Sequence, residues 1–147
     1  MSLTFKTNSF EDAKTIRERV FMIEQGFQDE FDEIDNHDEV ICITAYDQGE
    51  LVGCARIFPS YVQDGFPNAP ETWIFGRLAV LPEQRKSGYG SAILAEAERC
   101  VKEHGATEMH LHAQVQAQPF YERAGYIAYG PIEFDEHVEH QWMSKSL

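Results

Sequence analysis

The stretch RKSGYGSAILAEAERC, residues 85–100, places two glycines one residue apart between a basic pair and a long amphipathic segment. From Gly90 onward apolar residues recur three and four positions apart, which predicts a helix that ends at Gly105. The first amides of a helix lack intrahelical acceptors, and the helix dipole adds partial positive charge there. Because glycine lets the backbone approach a ligand closely, this turn predicts a site for a phosphate or pyrophosphate group.

The segments on either side of this turn predict alternating strands and helices. Apolar residues at Ala13, Ile16, Val20 and Ile23 indicate a helix after Ser9, which could cap it with Asp12 as a partial capping-box partner. A short helix closes at Gly125. Strands are predicted at residues 3–7, 40–47, 50–59, 72–82, 107–113, 126–134 and 137–145. Because strands and helices do not alternate strictly, the fold class is a mixed α/β domain.

Chain length and net charge limit the functions that this protein can have. A chain of 147 residues predicts a single domain over residues 1–147. With 12 Lys and Arg against 25 Asp and Glu, the net charge of −13 argues against nucleic acid and anionic membranes as partners. The same charge suits a cationic substrate such as an amine.

The sequence also favours a cytoplasmic location. No run approaches the roughly 18 apolar residues that span a bilayer, and the N-terminus lacks the basic-then-apolar order of a signal peptide. The cysteines are Cys42, Cys54 and Cys100, an odd and scattered set that predicts free thiols in a reducing compartment. A hairpin turn at Gln48-Gly49 would place the first two on opposite faces of a sheet.

Common nucleotide-binding patterns do not explain the glycine turn. The P-loop pattern is absent, and the dinucleotide pattern fails at its third glycine, where this chain has Ile93. An isolated pair of glycines is equally consistent with an ordinary helix start, so the neighbouring residues decide the interpretation.

Those neighbours resemble the GNAT family of acyl-CoA-dependent N-acyltransferases. Residues 85–90 match its RxxGxG signature, and RLAVLPEQRKSGYGSAIL (77–94) resembles its fourth strand, pyrophosphate turn and third helix. AQVQAQPFYERAGY (113–126) resembles the end of its fifth strand and its fourth helix. Three more segments are similar to an ElaA-type branch of the family: IRERVFMIEQGF (16–27), EIDNHD (33–38) and HVEHQWM (137–143). The resemblance covers nearly the whole chain.

The resemblance implies a mixed, mostly antiparallel sheet whose fourth and fifth strands splay apart around the pantetheine arm of acetyl-CoA. The fourth strand would contact this arm through Leu78, Ala79 and Val80, and Gln114 falls where many relatives have an asparagine facing the cofactor. The pyrophosphate would bind main-chain amides in the turn. The turn residues are Arg85, Lys86, Ser87, Gly88, Tyr89, Gly90 and Ser91.

The chemistry implied is direct attack of a free amine on the thioester. A main-chain N–H near Ala79 or Val80 would stabilise the oxyanion, and Tyr121 matches the family's general acid. Pro119 is tolerated only in a first helical turn, so the helix that carries this tyrosine is expected to begin late. The cosubstrate is acetyl-CoA, and no metal is expected.

Several questions stay open at the level of the sequence. The general base is Glu24, His112, His140 or a water molecule, because the fourth strand carries no carboxylate. The acidic run at residues 29–38 is interpreted as a solvated loop, with a cover over the acceptor site as the alternative. The acceptor amine and the acyl chain length are unreadable.

Two other functions remain as alternatives. A non-catalytic acyl-CoA-binding sensor fits a chain without an obvious base. An acyl-homoserine-lactone-synthase-like enzyme is the second alternative, because three segments resemble that related fold: RVF (19–21), EIDNHD (33–38) and GCARIFPS (53–60). Exposed final strands can pair between subunits, so a homodimer is a further expectation.

Overall fold

In a computed structural model, residues 3–147 form a seven-stranded sheet with helices on both faces. The first two residues of the N-terminus considered above lie outside this range. The strands are β1 Leu3–Thr7, β2 Ile41–Asp47, β3 Glu50–Pro59, β4 Thr72–Val80, β5 Glu108–Gln114, β6 Ile127–Asp135 and β7 Val138–Ser146. The α-helices are α1 Phe10–Arg17, α2 Tyr89–Glu103 and α3 Gln118–Arg123. No helix within residues 3–147 has the length and apolar character needed to cross a bilayer.

The strand order in the sheet is β1-β2-β3-β4-β5-β7-β6, and only β4 and β5 run parallel. The mixed, mostly antiparallel sheet expected from the resemblance is therefore confirmed. Strands β4 and β5 pair from Thr72 opposite Glu108 to Phe75 opposite Leu111 and then separate. Beyond that point β4 pairs with β3 and β5 pairs with β7, so a gap opens between them.

A bulge in β4 produces this separation. The register with β3 shifts between Cys54 and Arg56, and Arg77 adopts a left-handed φ of 51° inside the strand. An extra residue in one strand bends that strand and increases its twist. The bulge therefore turns the second half of β4 away from β5.

The first helix changes type along its length. Helix α1 continues as a π-helix over Glu18–Glu24, whose turns are wider than those of an α-helix. The spacing that predicted a buried Ile23 is therefore wrong, because the wider turn leaves this residue 79% exposed and buries Phe21. The predicted cap is also wrong, since Ser9 makes no side-chain cap and Asp12 accepts a hydrogen bond from Tyr46.

The hairpin of β2 and β3 turns at Gln48-Gly49 as predicted, with Asp47 opposite Glu50. The predicted register is wrong away from the turn, because a bulge between Ala45 and Tyr46 shifts the pairing with β3 by one residue. Cys42 then lies opposite Arg56 and Thr44 lies opposite Cys54. A shift of one residue changes the face of every side chain, so Cys42 and Cys54 share a face, and both thiols are free and buried.

Two apolar clusters cover the two faces of the sheet. One cluster joins the sheet to α2 and α3 through Ile93, Leu94, Ala97 and Tyr121. The other joins the opposite face to α1 and the π-helix through Ile16 and other residues. The helices thereby cover the sheet on both sides.

Candidate active site

A cavity of about 590 Å³ occupies the gap between the diverging halves of β4 and β5. Residues 76–80 of β4 form one wall and residues 111–114 of β5 form the other. The N-terminus of α2 lies at one end, and Tyr121 of α3 contributes an aromatic wall. The splayed strands therefore create a channel between β4 and β5.

The glycine turn lies at one end of this cavity. Gly88 caps α2 with a φ of 78°, and Lys86 two residues earlier has a φ of 70°. The Ala92 amide donates to the Gly88 carbonyl at 3.2 Å, which leaves the three preceding amides of the helix without an intrahelical acceptor. Six of the predicted turn residues line the cavity and Ser87 does not: the six are Arg85, Lys86, Gly88, Tyr89, Gly90 and Ser91.

The Arg85 side chain is engaged within the protein. Its guanidinium donates two hydrogen bonds of 2.6 Å to Glu24, and its Nε donates to the Val80 carbonyl at 3.0 Å. The hydrogen bonds from Arg85 hold the pKa of Glu24 below its ordinary value. Glu24 is therefore ionised and bound to Arg85 of the turn, which makes it poorly placed to act as a general base.

The wall formed by β4 presents main-chain groups to the cavity. Leu78, Ala79 and Val80 all line it. The Leu81 amide donates to the Val52 carbonyl of β3 at 3.0 Å. Because main-chain groups of successive residues point to opposite edges of a strand, the Val80 amide faces the gap.

Tyr121 lies deep in the cavity wall. Helix α3 begins at Gln118 and contains Pro119 in its first turn, as the late start of this helix predicted. The tyrosine ring packs 6.5 Å from Phe75 and 6.1 Å from Tyr126. Burial raises the pKa of the Tyr121 hydroxyl above its ordinary range, so the group is a proton donor at neutral pH.

Two histidines meet at the cavity, and a third does not reach it. His140 is buried and its Nδ1 donates to the Val138 carbonyl at 3.0 Å, which leaves Nε2 as the acceptor in the neutral ring. His112 lies 5.0 Å from His140 between ring centroids. Burial and the neighbouring His140 lower the pKa of His112, which is therefore neutral near pH 7. His110 instead contacts Tyr129 and Glu108.

The side-chain amide of Gln114 is hydrogen-bonded to two other glutamines. Its Nε2 donates to Gln25 Oε1 at 2.7 Å, and its Oε1 accepts from Gln116 at 2.6 Å. The end of β5 is thereby connected to the segment that follows the π-helix. This residue lines the cavity, with its amide group used in contacts within the protein.

A second cavity of about 260 Å³ adjoins the first. The residues common to both linings are Asp29, Phe75, Gly76, Arg77, His112, Asp135 and His140. The two cavities therefore meet beside the histidine pair, with carboxylates at the shared boundary.

A network of three arginines and three carboxylates lies beneath the second cavity, and sequence reasoning missed it. Its members are Arg17, Arg56, Arg77, Glu30, Asp32 and Asp35. The prediction of a solvated loop for the acidic run is wrong for Glu30, which is 4% exposed, and for Asp35, which is 19% exposed and pairs with Arg17. Arginines within the apolar strand sequences CARIF and WIFGRLAV were the available signal, since a charge in a buried strand needs a partner.

The network controls the protonation of its carboxylates. Burial alone would raise the pKa of Asp35, but hydrogen bonds from Arg17 and the charge of Arg56 hold that pKa well below its ordinary value. Burial outweighs the arginine charges at Glu30 and raises its pKa. The loop that carries these carboxylates is thus fixed to β3 and β4 by charge.

The chain belongs to the acetyltransferase (GNAT) family, whose sequence model matches residues 9–126. A Bacillus subtilis protein named as a candidate acetyltransferase is 36% identical over 95% of this chain and 93% of its own length. The family expected from the glycine turn is therefore confirmed.

Solved structures share the fold. Escherichia coli ElaA superposes with a TM-score of 0.82 at 20% identity, covering 99% of this chain and 100% of its own. An aminoglycoside 6'-N-acetyltransferase in complex with coenzyme A has a TM-score of 0.72 at 20% identity, covering 99% and 97%. A coenzyme A-dependent acyl-homoserine lactone synthase has a TM-score of 0.79 at 16% identity, covering 93% and 75%.

Proposed function

We propose that this chain is a cytoplasmic enzyme of one domain that transfers the acetyl group of acetyl-CoA to the primary amine of a small acceptor. The observation that carries this proposal is the cavity in the β4–β5 gap, which ends at the unpaired amides of α2. A thioester arm fits the gap and a diphosphate fits the helix terminus. The coenzyme A complex of the aminoglycoside enzyme, on the same fold, supports this assignment.

Backbone groups would bind most of the cosubstrate. The pantetheine arm would lie along residues 78–80, and its diphosphate would accept hydrogen bonds from the amides of residues 85–91. Because Arg85 is already paired with Glu24, the positive field at the diphosphate comes chiefly from the helix terminus and Lys86. This explains how a chain of net charge −13 can accept an anionic cosubstrate.

The reaction would proceed by direct attack of the amine on the thioester carbonyl. The Val80 amide, which faces the gap, would donate to the oxyanion as negative charge develops. Tyr121 would then protonate the leaving thiolate, since its hydroxyl lines the cavity and carries its proton at neutral pH.

The proton of the attacking amine would go to the histidine pair or to water beside it. His140 has the better defined acceptor, because its Nδ1–H is fixed on the Val138 carbonyl and its Nε2 is free for a proton. His112, with its lowered pKa, is the neighbouring neutral imidazole. Asp29 and Asp135 line both cavities and would favour a cationic amine.

Thiol release from acetyl-CoA, measured against a panel of amines and against longer acyl-CoA donors, tests the reaction. Tyr121→Phe should lower kcat by at least about 100-fold while leaving the Kd for coenzyme A unchanged. Tyr61→Phe is the matched control, because that tyrosine is exposed and contacts Glu39 outside the cavities.

The two alternative functions, the sensor and the homoserine-lactone synthase, predict different results in the same experiment. Tight coenzyme A binding without thiol release for any amine would support the sensor and contradict the transferase. A marked preference for long acyl chains with a lactone product would support the homoserine-lactone alternative. A homodimer remains a prediction, and the edge strand β6, which exposes Ile127, Ile132 and Phe134, is the surface to examine.

A further inference from the structure

A residue other than glycine adopts a left-handed conformation inside a strand of the sheet. Within residues 3–147, the non-glycine residues with a positive φ are mostly in turns or bends between elements: Asn8, Gln48, Lys86 and Glu136. The remaining one is Arg77, with a φ of 51° inside β4. This conformation is unfavourable for a residue with a Cβ, and it persists where surrounding contacts impose it.

The left-handed residue forms part of the bulge in β4. Two residues of this strand, Arg77 and Leu78, lie opposite the single residue Ala55 of β3. In one common type of bulge, glycine occupies the left-handed position because it has no Cβ. Arginine occupies that position here, so contacts of its side chain are the available compensation for the strain.

The side chain of Arg77 is bound to Glu30 of the acidic loop. Its Nε lies 2.8 Å from the Glu30 carboxylate, and a terminal nitrogen donates to the Glu30 carbonyl at 2.9 Å. The same terminal nitrogen lies 3.3 Å from Asp32. Arg77 thus contacts both the main chain and the side chain of a residue that is 4% exposed. These contacts fix the direction in which the arginine leaves the strand.

Glu30 is itself held in place by a second arginine. Arg17 of α1 donates from Nε to the Glu30 carboxylate at 2.8 Å and from a terminal nitrogen to the Glu30 carbonyl at 3.0 Å. A variant without the Arg77 side chain would leave Glu30 paired with Arg17, and Asp32 paired with Arg56. The contact with Arg77 can therefore be removed without leaving either carboxylate unpaired.

The bulge decides which main-chain groups face the cavity. Main-chain groups of successive residues point to opposite edges of a strand. With the extra residue, the Val80 amide faces the gap and the Leu81 amide donates to the Val52 carbonyl of β3. Without it, the pairing beyond Gly76 would shift by one residue and exchange the two edges. The Val80 amide would then turn toward β3.

We propose that Glu30 and Arg77 are positioning residues for acetyl transfer. Their ion pair holds Arg77 in the left-handed conformation, which maintains the bulge and keeps the Val80 amide directed at the cosubstrate. The role of this amide rests on the proposed acetyl transfer, whereas the link between the ion pair and the bulge does not. The acidic loop thus acts on the reaction through the backbone of β4.

Two substitutions at position 77 separate the ion pair from the backbone strain. Arg77→Ala removes the pair and keeps a Cβ, so the bulge should relax and the Kd for coenzyme A should rise at least about tenfold. Arg77→Gly removes the same pair but permits the left-handed φ, so its Kd should stay within about threefold of that of the unaltered protein. Equal Kd values in the two variants would overturn the proposal.

Gln48 provides the matched control. It has a φ of 52° in the exposed turn between β2 and β3. Gln48→Ala should melt at a lower temperature than Gln48→Gly, because alanine is strained at a positive φ. Neither variant should change the Kd for coenzyme A. A merely structural role for Arg77 predicts the same result at position 77, which is altered stability with an unaltered Kd.

Hydrogen exchange reads the bulge without a cosubstrate. In Arg77→Ala the Leu81 amide should lose its bond to Val52 and exchange at least about tenfold faster, while amides bonded between β5 and β7 keep their rates. In Arg77→Gly the Leu81 rate should be unchanged. A protected Leu81 amide in Arg77→Ala would overturn the proposal. If the unaltered protein binds no coenzyme A, the proposed function fails, and this measurement still decides the role of the ion pair.

Glu30→Gln tests the pair from its other member and decides the matter if Arg77→Ala does not fold. Glutamine keeps the shape of the side chain but removes the charge that faces Arg77. The Kd for coenzyme A should rise at least about threefold in the otherwise unaltered protein. The same substitution should have no further effect in Arg77→Gly, where the left-handed φ no longer needs the pair. An additional loss in that background would overturn the proposal, because Glu30 would then act by another route.

Discussion

The two ends of the active-site cleft are built in different ways. The end at α2 consists of main-chain amides from consecutive residues, 85–91, and its one arginine is neutralised by Glu24. The charged end, beside the smaller cavity, consists of charged side chains from distant segments, including Arg17, Arg56 and Arg77. A site made of main-chain amides keeps its geometry as long as the backbone conformation is kept. A site made of buried charged side chains also needs each charge to keep its partner. The two ends should therefore respond to substitution differently.

The largest effect is expected at the charged end. Arg17→Ala would leave the buried Glu30 and the partly buried Asp35 without a main partner, because Arg17 contacts both at 2.7–2.8 Å. Removing one member of a buried ion pair costs about 3–5 kcal/mol of unfolding free energy. The denaturant midpoint should fall accordingly, and the melting temperature by about 10 °C.

Arg19→Ala is the control for this substitution. Arg19 lies two residues along the same helix and forms an exposed ion pair with Glu83. Exposed pairs contribute little to stability, so its melting temperature should match that of the unaltered protein. Similar small changes in both variants would mean that the charge network does not stabilise this part of the protein.

Acid pH provides the next test. The pKa of Asp35 is lowered from its ordinary value near 3.8 in the folded state, so the unfolded chain takes up its proton first as pH falls. The stabilising contribution is present above pH 4 and is lost below it, by at most about 1.4 kcal/mol per pH unit for one group. Asp35→Asn should flatten the decline in unfolding free energy between pH 4 and pH 2. An unchanged slope would contradict the assignment.

The glycines at the two ends of α2 test the backbone end. Gly88 and Gly105 have φ values of 78° and 87°, so alanine at either position costs roughly 1–2 kcal/mol of strain. Both variants should lose similar stability. Only Gly88→Ala should also weaken coenzyme A binding, by about tenfold, because relieving the strained φ would shift the amides that begin α2. Equal affinities in the two variants would count against a diphosphate at this turn.

The smallest effect is expected from the Arg85–Glu24 pair. Arg85→Gln should change the Kd for coenzyme A by less than about threefold, since its charge is already compensated by an exposed partner. Glu24→Gln should tighten binding slightly by releasing that charge. A large loss of affinity in Arg85→Gln would remove the contrast between the two ends, because a side chain would then carry diphosphate binding.

Much of the fold could be predicted from local pattern. Strand positions, the helix stop at Gly105 and the hairpin turn at Gln48-Gly49 follow from spacing and turn chemistry, and all are present. Errors arose where a single inserted residue changed the phase. The bulge opposite Ala45 and Tyr46 placed Cys54 on the same face of the sheet as Cys42. The π-helix turned Ile23 toward solvent. Neither insertion has a distinctive sequence, because each depends on packing against neighbouring elements.

The candidate site divides in the same way. The turn at residues 85–91 could be located at the start of α2 because all its parts are consecutive and its glycines are visible in the sequence, and its role in binding stays a prediction. The interpretation of the acidic run failed because the partners of its carboxylates lie on other elements. Glu30 pairs with Arg17 of α1 and Arg77 of β4, and Asp32 pairs with Arg56 of β3, 24 residues along the chain. Nothing in the run itself indicates which carboxylates meet an arginine.

By itself the sequence determined the strands, the family and the glycine turn at the start of α2, since these depend on short-range spacing and on glycine's conformational freedom. Only the tertiary structure decided how far β4 and β5 separate and which histidines reach the cavity. Those features depend on side chains that approach one another across the sheet. The physical reason is that burial and charge pairing are properties of the three-dimensional neighbourhood of a residue, which local spacing does not specify.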